Sequence, residues 1–301
     1  MKRLLIILLT LALLGAGVFW VLTNPVVIAD DDLPVHEPDL ANGKMVFDMG
    51  GCTSCHAAPD ATGEDKLVLA GGLALNTPFG KFLVPNISSD PDTGIGAWTD
   101  AEFVTAMQQG VRPDGAHYYP AFPYTSYTRM RVEDVLDLKA YLATLPASTT
   151  VSQPHELGFP FNIRRGLGLW KILYLSDAPV MEVSDETAIV LGQRLVEGPG
   201  HCAECHTPRN AIGGADTGRW LAGGPNPDGP GRIPNITPHP EALGGWSEDD
   251  IVYYLESGFT PDFDSAGGSM ADVVENTGKI PAEWREAIAA YLKSVPEVAP
   301  E

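Results

Sequence analysis

All four cysteines of this 301-residue chain fall into two copies of one pentapeptide. Cys52, Cys55 and His56 stand in "CTSCH", and Cys202, Cys205 and His206 in "CAECH". Each copy sets two thiols about one helical turn apart with an imidazole directly after them. A fold for this chain must present that arrangement twice.

The first residues narrow the compartment. Lys2 and Arg3 precede an uncharged, mostly apolar run from Leu4 to Leu22. A helix needs roughly 20 such residues to cross the hydrocarbon core. Positive charge before the run and Asp30, Asp31 and Asp32 after it place the N-terminus in the cytoplasm and the rest of the chain outside. The competing reading of residues 1–29 is a cleaved signal peptide, with Val27 and Ala29 as a weak processing site. Outside the cytoplasm cysteines commonly pair as disulfides, but that gives no reason for a His after each pair. A four-cysteine zinc ribbon separates its pairs by about 15–20 residues, whereas Cys55 and Cys202 lie 147 apart. Cys-x-x-Cys-His is the signature of covalent haem attachment. The expectation is two haem c groups, each held by thioethers at Cys52 and Cys55 or Cys202 and Cys205, with His56 and His206 on the irons.

The chain also repeats itself at an offset of about 150 residues. "LAGG" from Leu69 recurs from Leu221, "VPNIS" from Val84 is answered by "IPNIT" from Ile233, and "YLATLP" from Tyr141 by "YLKSVP" from Tyr291. Helix signals agree between the copies. Thr99 and Ser247 read as N-caps with Glu102 and Asp250 three residues on, the second a weaker capping box. Trp98 and Trp246 are placed to staple onto Phe103 and Ile251, and Gly110 and Gly258 to end these helices. Later helices are expected over Val132–Thr144 and Ala282–Ser294, and one leads into each Cys-x-x-Cys-His, the second starting at Ser184, Asp185 and Glu186. No stretch alternates with period two for long, so little strand is expected. The reading is all-α, with three helices around one haem in each half.

With the order "CxxCH…LAGG…PNI…W…YL" present twice, each half resembles a class I cytochrome c domain. The similarity covers about residues 40–296. It extends to the cytochrome subunits that accept electrons from membrane-associated periplasmic dehydrogenases for alcohols, aldehydes and sugar acids. Several of those subunits carry three haems, whereas this chain has motifs for two. With the anchor or signal over 1–29, the resemblance implies cytochrome domains over 39–150 and 184–296 and a linker over 151–183. It also implies that the carbonyls of Pro85 and Pro234 orient His56 and His206, against the plainer reading of turn prolines.

The sixth iron ligand differs between the halves. Met270, in "GGSMADVV", stands where the family places its axial Met. In the first half the family's "YPAMPY" is "YPAFPY", and Phe122 cannot bind iron. Three substitutes stay open there: Met130, which aligns with Ile280 at a hydrophobic staple; His117, which has the chemistry at an unaligned place; and an open site. Tyr118, Tyr119 and Tyr124 are read first as packing.

Between the halves, Leu157–Leu175 carries Arg164, Arg165 and Lys171 and no acid. One expectation is packing across both domains, with the arginines on haem propionates or acidic surface. The other is that Trp170, Leu173 and Tyr174 rest in a membrane interface. The formal net charge of −20 excludes nucleic acid as a partner and suits a basic one. The resemblance implies a membrane-anchored dihaem carrier, fed by a periplasmic dehydrogenase and emptied by a cytochrome or terminal oxidase. The alternatives are a dihaem peroxidase or thiosulfate dehydrogenase, supported only by the missing family Met at the first haem, and a terminal-oxidase subunit.

Overall fold

The computed structural model describes residues 1–226 and 229–300. Its first element, α1 (Lys2–Leu22), begins with Lys2 and Arg3, carries no charge from Leu4 on, and buries none of its residues. Residues 24–39 then cross to the first domain, where Ile28 N–H donates to Thr105 Oγ1 and Ile28 and Leu33 join the core.

In the first domain α2 (Leu40–Met49) leads into the short α3 (Cys52–His56). These are followed by α4 (Asp100–Val104), which runs on through a π-helical turn over Thr105–Gln109, then α5 (Tyr124–Tyr127) and α6 (Val132–Leu142). The linker supplies α7 (Leu167–Tyr174). The second domain repeats the order with α8 (Thr187–Glu197), α9 (Ala203–His206), α10 (Glu248–Ser257), α11 (Ser269–Thr277) and α12 (Ala282–Ser294). Strand is limited to short pieces. β1 (Ala74–Thr77) and β2 (Gly80–Leu83) pair antiparallel, and β3 (Glu156–Leu157) adds to β2. In the second domain β4 (Gly224–Pro225) pairs with β5 (Arg232–Ile233). The all-α expectation therefore holds, and small antiparallel ribbons are its one addition.

The local signals read from sequence produce the boundaries observed. Glu102 N–H donates to Thr99 Oγ1 at 3.1 Å while Thr99 N–H donates to Glu102 Oε2 at 2.8 Å. Ser247 and Asp250 close the same reciprocal pair at 2.8 and 3.1 Å, so the Asp makes a complete capping box. Trp98 packs in the cluster that holds Phe103, and Trp246 in the one that holds Ile251. Gly110 and Gly258 stop their helices at φ 57° and 78°. The helix expected over Val132–Thr144 ends at Leu142, and the one expected from Ser184 starts at Thr187.

Each domain is organised by one helix crossing, α2 on α6 and α8 on α12. Both crossings rest on a glycine. A Cβ at Gly43 would lie 2.1 Å from Asp137 O, and one at Gly192 would lie 1.9 Å from Ala287 O. Such backbone contact is possible only without a side chain. Tyr141 and Tyr291 flank the two contacts. Around the crossings lie two cores, one built on Val46, Phe47, Leu69, Val104 and Val135, the other on Leu195, Val196, Leu221, Ile288 and Tyr291. The cores are not independent: Met49 of the first domain is buried in the second core, and Trp284 packs against both.

The linker holds α1, both domains and itself together. Arg165 donates to Thr23 Oγ1 and Trp20 O, each at 2.8 Å, and stacks on the Trp20 ring. Arg164 donates to His117 O at 2.9 Å and lies over Tyr119. The hydrogen bonds of these arginines thus go to backbone and hydroxyl oxygens, not to the acidic surface that their charge suggested. Trp170 Nε1–H donates to Ile212 O, and Asn210 Nδ2 donates to the Tyr174 hydroxyl, so these two rings face the second domain.

Lys171, buried in the same segment, donates to Gln109 O, Gly110 O and His117 Nδ1. Desolvation pulls its pKa from 10.5 down to about 7. Between those values the unfolded chain holds a proton that the folded chain releases, so the lysine makes stability rise with pH across that window. The slope is at most about 1.4 kcal/mol per pH unit. A urea series should show this rise in the native protein and not in Lys171→Met; parallel pH profiles for the two would contradict it.

Candidate haem-attachment sites

The two attachment turns are built alike. Gly51 at φ 56° and His201 at φ 37° turn the chain sharply ahead of each pentapeptide. Cys52 opens the short helix α3 and Cys202 is the N-cap of α9, so the two thiols and the imidazole of each motif fall within about one turn. Cys52 packs against the first core and Cys202 against the second, while Cys55 and Cys205 lie at the surface. Burial pushes the Cys52 and Cys202 thiols up to about 12. Among the described residues no cluster of three or more His, Cys, Asp or Glu side chains is arranged to hold a metal ion by itself.

Each motif histidine has one ring nitrogen held by a backbone carbonyl. His56 Nδ1 is 2.9 Å from Pro85 O, and His206 Nδ1 is 2.8 Å from Pro234 O. With the proton on Nδ1 donated to the carbonyl, Nε2 keeps its lone pair. Burial lowers the pKa of both rings, that of His56 to about 4, so each is neutral at physiological pH. The two glycines of each "LAGG" keep this frame close: Gly71 N–H donates to His56 O and Gly223 N–H to His206 O, both at 2.7 Å. Two thiols and a carbonyl-oriented neutral imidazole are the donor set that covalent haem needs, and both sites fit it.

The other candidate ligands are placed as follows. Met270 is partly buried at the first turn of α11, against the second core. Phe122 occupies the matching place in the first domain, counted from the equivalent glycines Gly110 and Gly258, and is ringed by Tyr118, Tyr124 and Tyr127. Met130 is buried in the first core just before α6, as Ile280 is before α12. His117 is buried with both ring nitrogens engaged: Nε2 is 2.9 Å from Thr23 O, and Nδ1 accepts from Lys171. Neither nitrogen is left for iron.

Residues that sequence reasoning did not single out join the two sites. Asn276, on α11 with Met270, donates to Ser54 Oγ at 2.8 Å, within the first Cys-x-x-Cys. In the opposite direction Thr125 and Ser126, on α5, donate to Oε1 of Glu204 within the second Cys-x-x-Cys, at 2.9 and 3.2 Å. His201, next to Cys202, lies with Nε2 3.3 Å from Gly50 O and packs its ring on Tyr127. Each domain therefore holds the other's attachment turn.

A cytochrome c family profile matches residues 40–146. A "Diheme cytochrome c-type" protein of Cereibacter sphaeroides is 55% identical over 284 residues, covering 94% of this chain and 95% of its own. The chain belongs to the dihaem c-type cytochromes. Further relatives of this dihaem cytochrome are the fructose dehydrogenase cytochrome subunit of Gluconobacter japonicus, 37% identical over 88% of the chain, and the cytochrome c subunit of the alcohol dehydrogenase (quinone) of Gluconacetobacter polyoxogenes, 38% over 86%. The chain spans only 54% and 56% of those two. The dihaem cytochrome carries two covalent haem c groups and works in electron transfer.

Proposed function

We propose that this cytochrome is anchored in the inner membrane by residues 1–29. There it carries electrons from a periplasmic dehydrogenase to a downstream cytochrome or terminal oxidase. When bound, each haem supplies a reversible one-electron change at its iron. The chain's task is to hold, orient and connect. In this reading Cys52, Cys55, Cys202 and Cys205 form the thioethers, and His56 and His206 give the proximal bonds. Met270 closes the second site, and Met130 is the ligand proposed for the first, since His117 is engaged elsewhere. The domains proposed are 39–150 and 184–296.

The observation that carries the relay is the reciprocal bonding of the two attachment turns. Asn276, Glu204 and His201 keep the Cys-x-x-Cys segments side by side, which makes a short internal route between the sites. A dehydrogenase as donor is supported by the named relatives, two of which are subunits of fructose and alcohol dehydrogenases. The acidic surface suits basic partners.

Purification of the native protein from its membrane, followed by mass spectrometry of what accompanies it, tests the assignment. Dehydrogenase subunits are expected. Recovery with oxidase subunits alone, or turnover of peroxide or thiosulfate by the purified chain, would contradict it.

A further inference from the structure

The linker between the domains carries an apolar face that neither domain covers. Phe159, Ile172 and Leu173 are 80%, 60% and 67% exposed, and Ile163 and Leu169 are exposed as well, while the Phe161 ring rests edge-on against Phe79 of the first domain. Five such side chains within fifteen residues exceed the scatter of single apolar residues normal on a soluble surface. The same segment holds three cations and no acid in a chain of net charge −20. Its inward-facing groups are already engaged: Lys171 and Arg164 by the first domain, Trp170 and Tyr174 by the second.

What lies next to this face decides its occupant. The last turn of α1 is fastened to the linker by Arg165, through Trp20 O, Thr23 Oγ1 and the Trp20 ring. A Cβ at Gly168 would meet Thr23 Cα at 2.5 Å, so α7 abuts the end of α1 directly. If α1 spans the bilayer, Trp20 sits at its outer interface, the depth that Trp and Arg favour. Residues fastened to it share that depth.

We propose that the face formed by residues 159–173 lies in the headgroup region of the outer leaflet. There it holds both haem domains at a fixed orientation to the membrane rather than on a free tether. Exposed Phe, Ile and Leu would enter the acyl boundary, with Arg164 and Arg165 beneath them toward the protein. The proposed occupant is lipid; a protein partner on the same face is an outcome of the test. The inference rests on the reading of α1 as a retained anchor.

The test uses the full haem-loaded chain in vesicles of phosphatidylcholine and phosphatidylglycerol. The four native cysteines are committed to thioethers, so a single introduced cysteine takes a nitroxide label selectively. Labels at Leu13→Cys, Ile172→Cys, Leu173→Cys and Val151→Cys are compared for accessibility to a water-soluble nickel chelate, each sample read with and without the chelate and with the haems left ferric. All four positions are exposed on the protein, so labelling leaves its cores intact. Expected is a several-fold lower nickel accessibility at 172 and 173 than at 151, with 13 deeper still. Nickel access at 172 and 173 equal to that at 151, with 13 buried in lipid, would overturn this inference and spare the anchor; it would also leave the face for a protein. A water-exposed label at 13 would overturn both.

Discussion

Replacing Gly192 by Ala is expected to destabilise the second domain by about 3 kcal/mol or more, the upper end of what overpacking costs. Helix propensity alone points the other way, since Ala is better than Gly in a helix interior by about 1 kcal/mol. The sign of the result therefore separates the two effects. The added methyl would sit 1.9 Å from Ala287 O and 2.7 Å from Tyr291 Cβ, where only a shift of the whole α8–α12 crossing can make room. That crossing carries Tyr291, whose hydroxyl donates to buried Glu197, and it underlies the attachment turn that follows α8. Gly43→Ala should behave alike in the first domain. Urea denaturation followed by circular dichroism measures the effect; a Gly192→Ala midpoint at or above that of the native protein would refute the close contact.

The second large effect belongs to Met270. In Met270→Ala the sulfur-to-iron charge-transfer absorption of the oxidised protein should fall by half, and one of the two reduction potentials should drop while the other stays. Methionine opposite histidine raises the potential, so its loss lowers it. Met270→Leu separates ligation from packing. It retains the side-chain volume and should cost less than about 1.5 kcal/mol in stability, yet give the same spectral loss. Complete disappearance of the absorption in either variant would exclude Met130 as the first site's ligand. An unchanged absorption would exclude Met270.

Much of the fold was legible because its determinants are local. The capping residues Thr99 and Ser247, the stop glycines Gly110 and Gly258 and the apolar spacing of α6 and α12 all act within a turn or two of the chain. The repeat made each signal readable twice. The attachment motifs were legible for the same reason: two thiols and an imidazole act as one short unit. The helix-crossing glycines were not found, although Gly43 and Gly192 stand nearly the same distance ahead of Cys52 and Cys202. That matched spacing is the signal that could have found them.

What escaped was decided between distant segments. His117 has ligand chemistry in the sequence, and only its contacts with Thr23 and Lys171 turn it into a structural link. Arg164 and Arg165 read as partners for acids, but the fold sets them against backbone oxygens and aromatic rings, where a planar guanidinium serves well. The bond between Asn276 and Ser54 joins residues 222 positions apart, and no local pattern announces it.

If the joined attachment turns serve as a relay, electrons pass between the two sites inside one molecule. Pulse reduction of the oxidised full chain with less than one electron per molecule, followed at wavelengths that separate the two haems, measures this directly. The expected outcome is a first-order redistribution whose rate does not change with protein concentration. A rate proportional to concentration would show that electrons travel only between molecules, and the joined attachment turns would then have no part in the transfer.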